Sequence, residues 1–418
     1  MTAHPPSAGA PLGVSAEPSG ALASLCSAPP ETFAQEVWGR QAWLSRAKEL
    51  PGEVACVFSL EAADELLSRR GLRTPFLRLA KDGRVMANSR FTGSGGVGAQ
   101  IADQVVDDAI LRHFVDGTTV VLQGLHRTWN PVRELAAALT SQLGHPVQVN
   151  AYITPPQAQG FASHYDTHDV FVWQVVGRKR WTVHEPVLRE PLPQEPWEAL
   201  RDQVAERAGE APLLNEILDP GDCLYLPRGF LHSANALGGT SIHLTFGIHT
   251  VVERDIVRGV LSTLESDGWR GSLPVGWDPT GPEGLAQIRS VVSELAAALQ
   301  TLDVESVAEA LQDQRGAQQR PEPVPPLAQA AVADTLTPSQ QVRLRANLNP
   351  RRHEPADGPA CELVMPGGRR IAIAADEVPA LDCLLAGEPV VVDTLPVASS
   401  TAVELVRRLL REGVLVPA

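Results

Sequence analysis

The chain has 418 residues, of which 44% are hydrophobic and 20% charged, a composition typical of globular proteins and a length sufficient for two or three domains. The formal net charge of −14 argues against a protein that binds nucleic acid through bulk charge. No apolar run approaches the roughly 18 residues of a membrane span. The N-terminal stretch MTAHPPSAGAPLGVSAEPSG lacks the basic start and apolar core of a secretory signal.

The cysteines and lysines give further information about the kind of protein and the kind of site to expect. The five cysteines are odd in number, widely spaced and never arranged as C-x-x-C. This pattern argues against a disulfide framework and a thiolate zinc site, and it predicts a cytoplasmic location. Among the 35 basic residues only Lys48, Lys81 and Lys179 are lysine, so a lysine inside a motif stands out against a strong preference for arginine.

The first half of the chain predicts a β-rich domain. Residues 1–30 are rich in Pro, Ala, Ser and Gly, which predicts a disordered tail. Residues 31–251 begin with a helical lead-in and continue, from about residue 115, with short β-branched runs such as TTVVLQGL, DVFVWQVVG and SIHLTFGIH. Gly, Pro and Asn separate these runs, as is typical of an all-β sandwich or barrel. One clear helix, VRELAAALTSQLG at 132–144, lies among them.

The second half predicts helices followed by a small α+β domain. Residues 252–340 have a helical pattern and include a Pro-rich break, RPEPVPPLAQ, which predicts a linker. In residues 341–418, ELVMPGGRRIAIA is typical of a hairpin around Pro-Gly-Gly. TAVELVRRLLREG is typical of an amphipathic helix that ends at Gly413, and a short strand follows. Helices with a two-stranded wing favour a winged-helix-like domain.

A winged-helix-like pattern raises the hypothesis of DNA binding. Residues 341–418 contain nine arginines against ten aspartates and glutamates, whereas a protein that reads duplex DNA normally presents a basic stripe. The local basic patch RLRANLNPRR at 343–352 could equally contact protein. We therefore do not expect this domain to bind DNA directly.

The segment HYDTHDVFVWQVVGRKRW, which begins at residue 164, places polar side chains ahead of an apolar run. On a β-strand, His164 and Asp166 would project into the barrel, where an unpaired carboxylate is costly. A metal ion would give both groups a partner, and His232, after the predicted strand in GDCLYLPRGFLH, supplies a third ligand. Two imidazoles and one carboxylate form the facial triad of non-haem Fe(II) oxygenases, which leaves coordination positions open. A structural zinc site would instead be closed by a fourth ligand.

The open positions of such a triad suit O₂ and a chelating 2-oxo acid, whose distal carboxylate would require a cation. Lys179 is the candidate, on the next strand after a turn near Val176–Gly177, because a buried ammonium and a carboxylate form a strong charge-assisted hydrogen bond. His168, at even spacing from His164, could be a fourth ligand, as in metal-binding cupins that are not oxygenases. We expect it instead to hydrogen-bond Asp166 or a backbone carbonyl next to the metal.

Two segments together resemble a known family: NAYITPPQAQGFASHYDTHDVFVWQVVGRKRW at 150–181 and GDCLYLPRGFLHSA at 221–234. They are similar to the JmjC-type, cupin-fold ribosomal oxygenases, which are Fe(II)- and 2-oxoglutarate-dependent protein hydroxylases. The resemblance implies a mainly β catalytic domain with a double-stranded β-helix (cupin or jelly-roll) fold at 31–251. It further implies a helical dimerisation region and linker at 252–340 and a C-terminal winged-helix-like α+β domain at 341–418.

The resemblance also implies roles for individual residues. The positions that match the family's catalytic iron ligands are His164, Asp166 and His232. Lys179 matches the basic residue that binds the distal carboxylate of the cosubstrate, 2-oxoglutarate. The other positions that match the cosubstrate pocket are Asn150, Tyr152 and Thr245.

The resemblance implies that the chain forms a homodimer and hydroxylates an Arg or His side chain of a ribosomal protein. Two alternatives remain open. The chain could be a metal-binding cupin that recognises a protein partner without chemistry, or a dioxygenase that acts on a small molecule or a peptide. Succinate release or O₂ consumption in the presence of Fe(II) and 2-oxoglutarate distinguishes an oxygenase from a binding module.

Overall fold

The computed structural model describes residues 20–81, 83–98, 100–156, 162–264, 267–318, 320–355 and 358–418. The chain divides into two compact units, Met1–Thr250 and Val251–Ala418. This division falls beside the predicted end of the catalytic domain at residue 251. No helix in the described ranges is long and apolar enough to cross a membrane.

The first unit combines short helices with many strands. Its strands are β1 (Trp43–Ser45), β2 (Leu77–Lys81), β3 (Arg84–Val85), β4 (Thr92–Gly93), β5 (Gln104–Val105), β6 (Thr119–Leu122), β7 (Val147–Thr154), β8 (Asp169–His184), β9 (Leu214–Leu218), β10 (Cys223–Leu226) and β11 (Leu231–Ile248). Its helices are α1 (Gly20–Ala23), α2 (Pro30–Thr32), α3 (Val54–Val57), α4 (Leu60–Ser68), α5 (Asp107–Val115), α6 (Leu125–Thr128), α7 (Asn130–Leu143) and α8 (Arg201–Ala208).

One nine-stranded antiparallel sheet organises this unit. Its order is β1-β10-β8-β11-β7-β6-β2-β3, with β9 paired to β8 beside that path. The two longest strands, β8 and β11, pair with each other along most of their length. In addition, β11 pairs with β7, and β8 pairs with both β10 and β9. The predicted mainly β domain is therefore confirmed as one large antiparallel sheet with helices around it.

Gly177 lets β8 bend without ending. Its φ is +66°, and a Cβ there would lie 2.3 Å from the carbonyl oxygen of Thr240, so only glycine fits. The register of the β8–β11 pair shifts nearby, between Leu237 and Ile242. The prediction that Lys179 follows a turn on a separate strand is therefore wrong, because Lys179 lies on the same continuous strand.

Residues 20–30 are folded, although a disordered tail was predicted there. Residues 1–19 lie outside the described residues, but the segment after them packs into the first core. Leu22, Leu25 and Cys26 are buried, and the Leu22 N–H donates to Gln142 Oε1 at 2.8 Å. The expectation of disorder up to residue 30 therefore fails for residues 20–30, because their apolar side chains are covered by the domain.

The helix predicted at 132–144 is confirmed as α7. Pro131 lies in its first turn, where a missing N–H costs nothing, and Gly144 ends it with φ of +72°. Its buried face includes Val132, Leu135 and Leu139, at the spacing of one helix stripe. This stripe packs into the same core as the inner residues of β7 and β8.

The second unit begins with helices and ends in two small sheets. Its helices are α9 (Glu253–Thr263), α10 (Pro282–Gln300), α11 (Val304–Gln318), α12 (Pro326–Asp334), α13 (Val378–Leu385) and α14 (Ser399–Arg411). Its strands are β12 (Gln341–Leu344), β13 (Arg351–His353), β14 (Cys361–Val364), β15 (Arg370–Ile373), β16 (Val390–Val391) and β17 (Leu415–Pro417). The sheets have the orders β16-β12-β17 and β13-β14-β15.

The predicted hairpin, final helix and final strand are confirmed as β14–β15, α14 and β17. The hairpin gains a third strand, β13, and the assignment to the winged-helix class stays a prediction. The Pro-rich linker is shorter than predicted, because α12 begins at Pro326. Within α12 the Gln329 amide donates to the carbonyl oxygens of Leu410 and Leu415, which fixes this helix to the C-terminal core.

Candidate active site

His164, Asp166 and His232 come together at one point of the first unit. Their ligand atoms all lie within 4.8 Å of one another, and they are the only such cluster of metal-ligating side chains among the described residues. His232 is on β11, whereas His164 and Asp166 precede β8 on an extended segment rather than on a strand. An isolated antiparallel bridge joins the two histidines: His164 N–H donates to His232 O at 3.2 Å and His232 N–H to His164 O at 2.8 Å.

Backbone carbonyls orient both imidazoles. His164 Nδ1 lies 2.8 Å from Ala162 O, and His232 Nδ1 lies 3.1 Å from Phe230 O. A carbonyl oxygen can only accept, so each Nδ1 carries a proton, and in the neutral tautomer each Nε2 keeps a lone pair that faces away from this bond. This is the arrangement in which a metal-ligating histidine is usually held.

The protonation states also suit a cation. Burial lowers the pKa of His232 to about 4, so this imidazole is neutral near pH 7 and its lone pair is available. Burial alone would raise the pKa of the Asp166 carboxyl, but nearby positive groups, His168 first among them, hold it below its ordinary value. The cluster therefore offers two imidazole nitrogens and one carboxylate, the donor set of a facial triad with room for further ligands.

Lys179 is a buried amine that has no acidic partner among the described residues. Only 2% of the residue is exposed, and its Nζ donates to Thr154 Oγ1 at 3.1 Å. No carboxylate of the described residues lies within ion-pair distance of this Nζ. Burial lowers the pKa of Lys179 to about 7. A buried cation in this state is stabilised by any carboxylate that enters.

A cavity of about 840 Å³ joins Lys179 to the triad. Of the predicted cosubstrate residues, Tyr152 and Thr245 line this cavity, as do the three predicted iron ligands. Asn150 is not among the lining residues. Its Oδ1 instead accepts a hydrogen bond from the Gly124 N–H at 3.0 Å, so its side chain supports the turn before α6.

Aromatic rings form much of the cavity wall. Tyr152 and His243 are stacked, with centroids 5.0 Å apart, and His243 meets Trp181 edge-on at 5.4 Å. The Trp181 ring lies 6.0 Å from that of His232. Burial is also the main reason why the pKa of His243 lies well below its ordinary value. The space between Lys179 and the triad is thus enclosed by neutral rings, which exclude water from a bound ligand.

Several residues of the wall were not predicted from the sequence, among them Arg78, Thr154 and Trp181. Thr154 and Trp181 stand two positions after Tyr152 and Lys179 on the same strands, so strand alternation would have predicted both. Arg78 comes from β2, and register links it through Val121 of β6 to Tyr152. No sequence signal predicted that pairing, because these strands lie far apart in the chain.

His168 lies beside the triad but is not part of it. Its ring meets that of His249 edge-on at 5.3 Å, and Gly247 leaves room for it, since a Cβ there would lie 3.2 Å from the His168 ring. His168 Nδ1 is buried and has no hydrogen-bond partner in the described residues. The predicted hydrogen bond from His168 to Asp166 or to a backbone carbonyl therefore receives no support from the described residues.

Comparison with known proteins agrees with this geometry. Residues 125–256 match the model of the JmjC domain family. Ribosomal oxygenase 1 of Rattus norvegicus is 42% identical over 119 residues, 28% of this chain and 19% of the rat protein. The bifunctional lysine-specific demethylase and histidyl-hydroxylase NO66 of Aedes aegypti is 43% identical over 101 residues, 24% of this chain and 15% of that protein. The chain thus spans less than a fifth of the length of each of these two relatives.

A solved structure extends the likeness of the fold. YcfD, a ribosomal oxygenase from Escherichia coli determined with cobalt and 2-oxoglutarate, superposes with a TM-score of 0.52 at 17% identity. The match covers 94% of this chain and 99% of the bacterial one. At this identity the likeness establishes a common fold, and it agrees with the large antiparallel sheet described above.

Proposed function

We propose, since the chain is a JmjC-domain protein related to the ribosomal oxygenases, that it is an Fe(II)- and 2-oxoglutarate-dependent dioxygenase that hydroxylates a protein side chain. The observation that carries this proposal is a single cavity with two features. One end holds the triad of His164, Asp166 and His232, and the wall also holds the buried ammonium of Lys179. A chelating 2-oxo acid with a second carboxylate matches both.

Each element of the site has a role in this reaction. The triad would hold Fe(II), which when bound supplies the activation of O₂ and a chelation point for the keto acid. Lys179 and Thr154 would hold the distal carboxylate, and Trp181 would keep water from the cosubstrate. Overall, 2-oxoglutarate, O₂ and a C–H bond of the target would give succinate, CO₂ and a C–OH group. Decarboxylation supplies two of the four electrons that O₂ requires, and the C–H bond supplies the other two.

We infer that the target is an Arg or His side chain of a ribosomal protein. The names of the rat and mosquito relatives, a ribosomal oxygenase and a bifunctional lysine-specific demethylase and histidyl-hydroxylase, support a ribosomal target and a His side chain. The Arg side chain rests on the family resemblance of the sequence motifs. A small molecule or free peptide as substrate is the second candidate. A cupin that binds metal without chemistry is the third, and the buried Lys179 argues against it, because a binding module needs no desolvated cation.

We propose that the C-terminal domain contacts protein rather than DNA. All nine arginine side chains of residues 341–418 donate to a carboxylate or a backbone carbonyl of the described residues. This stretch contains no lysine. A DNA-binding surface requires basic side chains that can turn to phosphates, so the pairing lowers the capacity of this domain for such contacts.

We also propose that the helical region forms a homodimer. More than half of the large apolar side chains that are exposed in the described residues lie between 256 and 304. On α10, Leu285, Ile288, Val292 and Leu299 are each at least 42% exposed and repeat at the three- and four-residue spacing of a helix-pairing seam. A second copy of the same helix would cover this seam by two-fold symmetry.

Asp166→Ala tests the proposed chemistry. We expect succinate release from 2-oxoglutarate with Fe(II) to fall by about 100-fold or more, because a ligand and its charge are both removed. Asp219→Ala, which removes an exposed carboxylate paired with Arg178, is the control and should retain wild-type release. Equal release by Asp166→Ala and wild type would contradict the assignment, and no release by wild type would favour the binding module.

The pKa of Lys179 predicts how cosubstrate affinity depends on pH. Below pH 7 the free ammonium is protonated and binds the carboxylate directly. Above pH 7 it must first take up a proton, so affinity for 2-oxoglutarate should fall, by up to about tenfold per pH unit. Calorimetric titration of the Mn(II)-loaded protein between pH 6 and 9 measures this slope. In Lys179→Arg the side chain stays protonated over this range, so the affinity of this variant should not depend on pH in this way. An equal pH dependence in the two proteins would refute the role of Lys179.

A charge on the α10 seam should separate the dimer. We expect Ile288→Glu to convert the protein to a monomer in sedimentation velocity experiments, because a carboxylate would be buried between two copies. Ala297→Glu places the same charge on the opposite, exposed face of α10 and should leave the dimer intact. A monomeric wild-type protein at tens of micromolar, or equal dissociation of both variants, would rule out this interface.

A further inference from the structure

The segment between β8 and β9 forms one wall of the cavity. It contains a short 3₁₀ helix, Trp197–Leu200, followed by α8. The side chains of this segment that line the cavity are Trp197, Glu198, Arg201, Val204 and Ala205, and we call them the 197–205 wall.

The 197–205 wall is fixed to the backbone that carries the metal ligands. Val204 is buried in one cluster with Tyr165 and Leu231, the immediate neighbours of His164 and His232 in the chain. Side chains alternate along extended backbone, so the ligands face the cavity while their neighbours hold the wall from behind. The Tyr165 hydroxyl also donates to the Glu195 carbonyl at 2.9 Å. The distance from the wall to the triad is thus set by packing.

Trp197 presents its ring next to the triad. The ring lies 6.4 Å from the His164 ring, and the guanidinium carbon of Arg201 lies 5.5 Å from its centroid. This separation is that of a cation–π contact, so the chain itself demonstrates that a planar cation fits over this indole.

Glu198 supplies a carboxylate beside the indole. It is exposed, lines the cavity and forms no side-chain hydrogen bond or ion pair with the described residues. Asp166 and Glu198 are the only carboxylates among the described residues that line the cavity. Since Asp166 belongs to the triad, Glu198 is the acid available to a molecule that enters from outside. An aromatic face and a free carboxylate are the two groups that recognise a planar cation.

We propose that Trp197 and Glu198 recognise a planar cationic side chain of the target, a guanidinium or an imidazolium, and that Arg201 covers the Trp197 ring until the target enters. This inference rests on the proposed function. It assigns substrate recognition to the 197–205 wall. Trp197 and Glu198 would raise the affinity for the target, whereas Arg201 would lower it.

The test separates recognition from the reaction itself. Acetylated and amidated Gly-Gly-X-Gly-Gly peptides, with X as Arg, His, citrulline or Leu, are incubated with wild-type protein, Fe(II), 2-oxoglutarate and O₂. A gain of 16 Da reports hydroxylation, and succinate release without peptide reports the proposed function independently. We expect the Arg or the His peptide to gain 16 Da and the neutral peptides to remain unmodified.

Variants of the 197–205 wall then test the role of each residue in binding the peptide. For the hydroxylated peptide we expect Trp197→Leu and Glu198→Gln each to raise KM by roughly tenfold with a smaller change in kcat. Trp197→Phe should recover most of the loss, since it keeps an aromatic face. Arg201→Ala should lower KM by roughly two- to fivefold, because the competing cation is removed. Glu206→Gln, an exposed acid of α8 outside the cavity, should match wild type.

Several outcomes would overturn the proposal. One is hydroxylation of the citrulline or Leu peptide as efficiently as the Arg peptide. Another is an unchanged KM in Glu198→Gln, which stands as a test even if Trp197→Leu fails to fold. A raised KM in Arg201→Ala would refute the covering role of Arg201. Succinate release without hydroxylation of any peptide would refute cation recognition while leaving the dioxygenase intact, whereas absence of both would refute the proposed function.

Discussion

The short antiparallel bridge between His164 and His232 is the constraint on which the site depends. Each residue donates its N–H to the carbonyl of the other, the pattern of a hydrogen-bonded antiparallel pair. This places two imidazoles side by side, with ring centroids 4.4 Å apart. A slip by one residue would turn a ligand away from the cavity. The same register puts Tyr165 and Leu231 behind the ligands, where they hold the 197–205 wall.

The cavity concentrates charges that its ligands are suited to neutralise. Electrostatic interactions with nearby side chains hold the pKa of the Asp166 carboxyl below its ordinary value despite its burial. Lys179 is buried with no acidic partner in the part of the chain that the structure describes. Both arrangements are costly in a protein interior unless a partner is supplied. A cation at the triad and a carboxylate at Lys179 would relieve both costs at once. The charges of the cavity therefore indicate which ligands it suits, a metal ion and a molecule with a distal carboxylate, more closely than its volume does.

The sequence predicted the parts of this site that local pattern determines. His164, Asp166 and Lys179 were found because polar side chains interrupt an apolar run, and His232 because it follows a short strand between two turns. Periodicity and turn residues also predict the helix at 132–144 and the hairpin at 362–374, which the structure has as α7 and β14–β15. The continuous course of β8 was not, since Gly177 is typical of a turn until Thr240 is placed against it.

The remaining errors have a tertiary origin. Residues 20–30 have the composition of a tail, yet helix α7 and the sheet cover their few apolar side chains. Arg78 lines the cavity because β2 pairs with β6. Trp197 lies in the segment between β8 and β9, whose sequence pattern is typical of a surface helix. Asn150 was predicted to line the cavity from the family resemblance, and it lies two residues before Tyr152 on the same strand. Its side chain instead accepts a hydrogen bond from the backbone N–H of Gly124.

The central claim is that His164, Asp166 and His232 bind one metal ion together. The most direct test is anomalous diffraction from crystals of the full chain grown with Mn(II), an oxygen- and nitrogen-binding substitute for Fe(II). We expect one strong peak bonded to His164 Nε2, His232 Nε2 and a carboxylate oxygen of Asp166. A well-ordered site without a peak, or a peak that leaves any of these three side chains uncoordinated, would contradict the account.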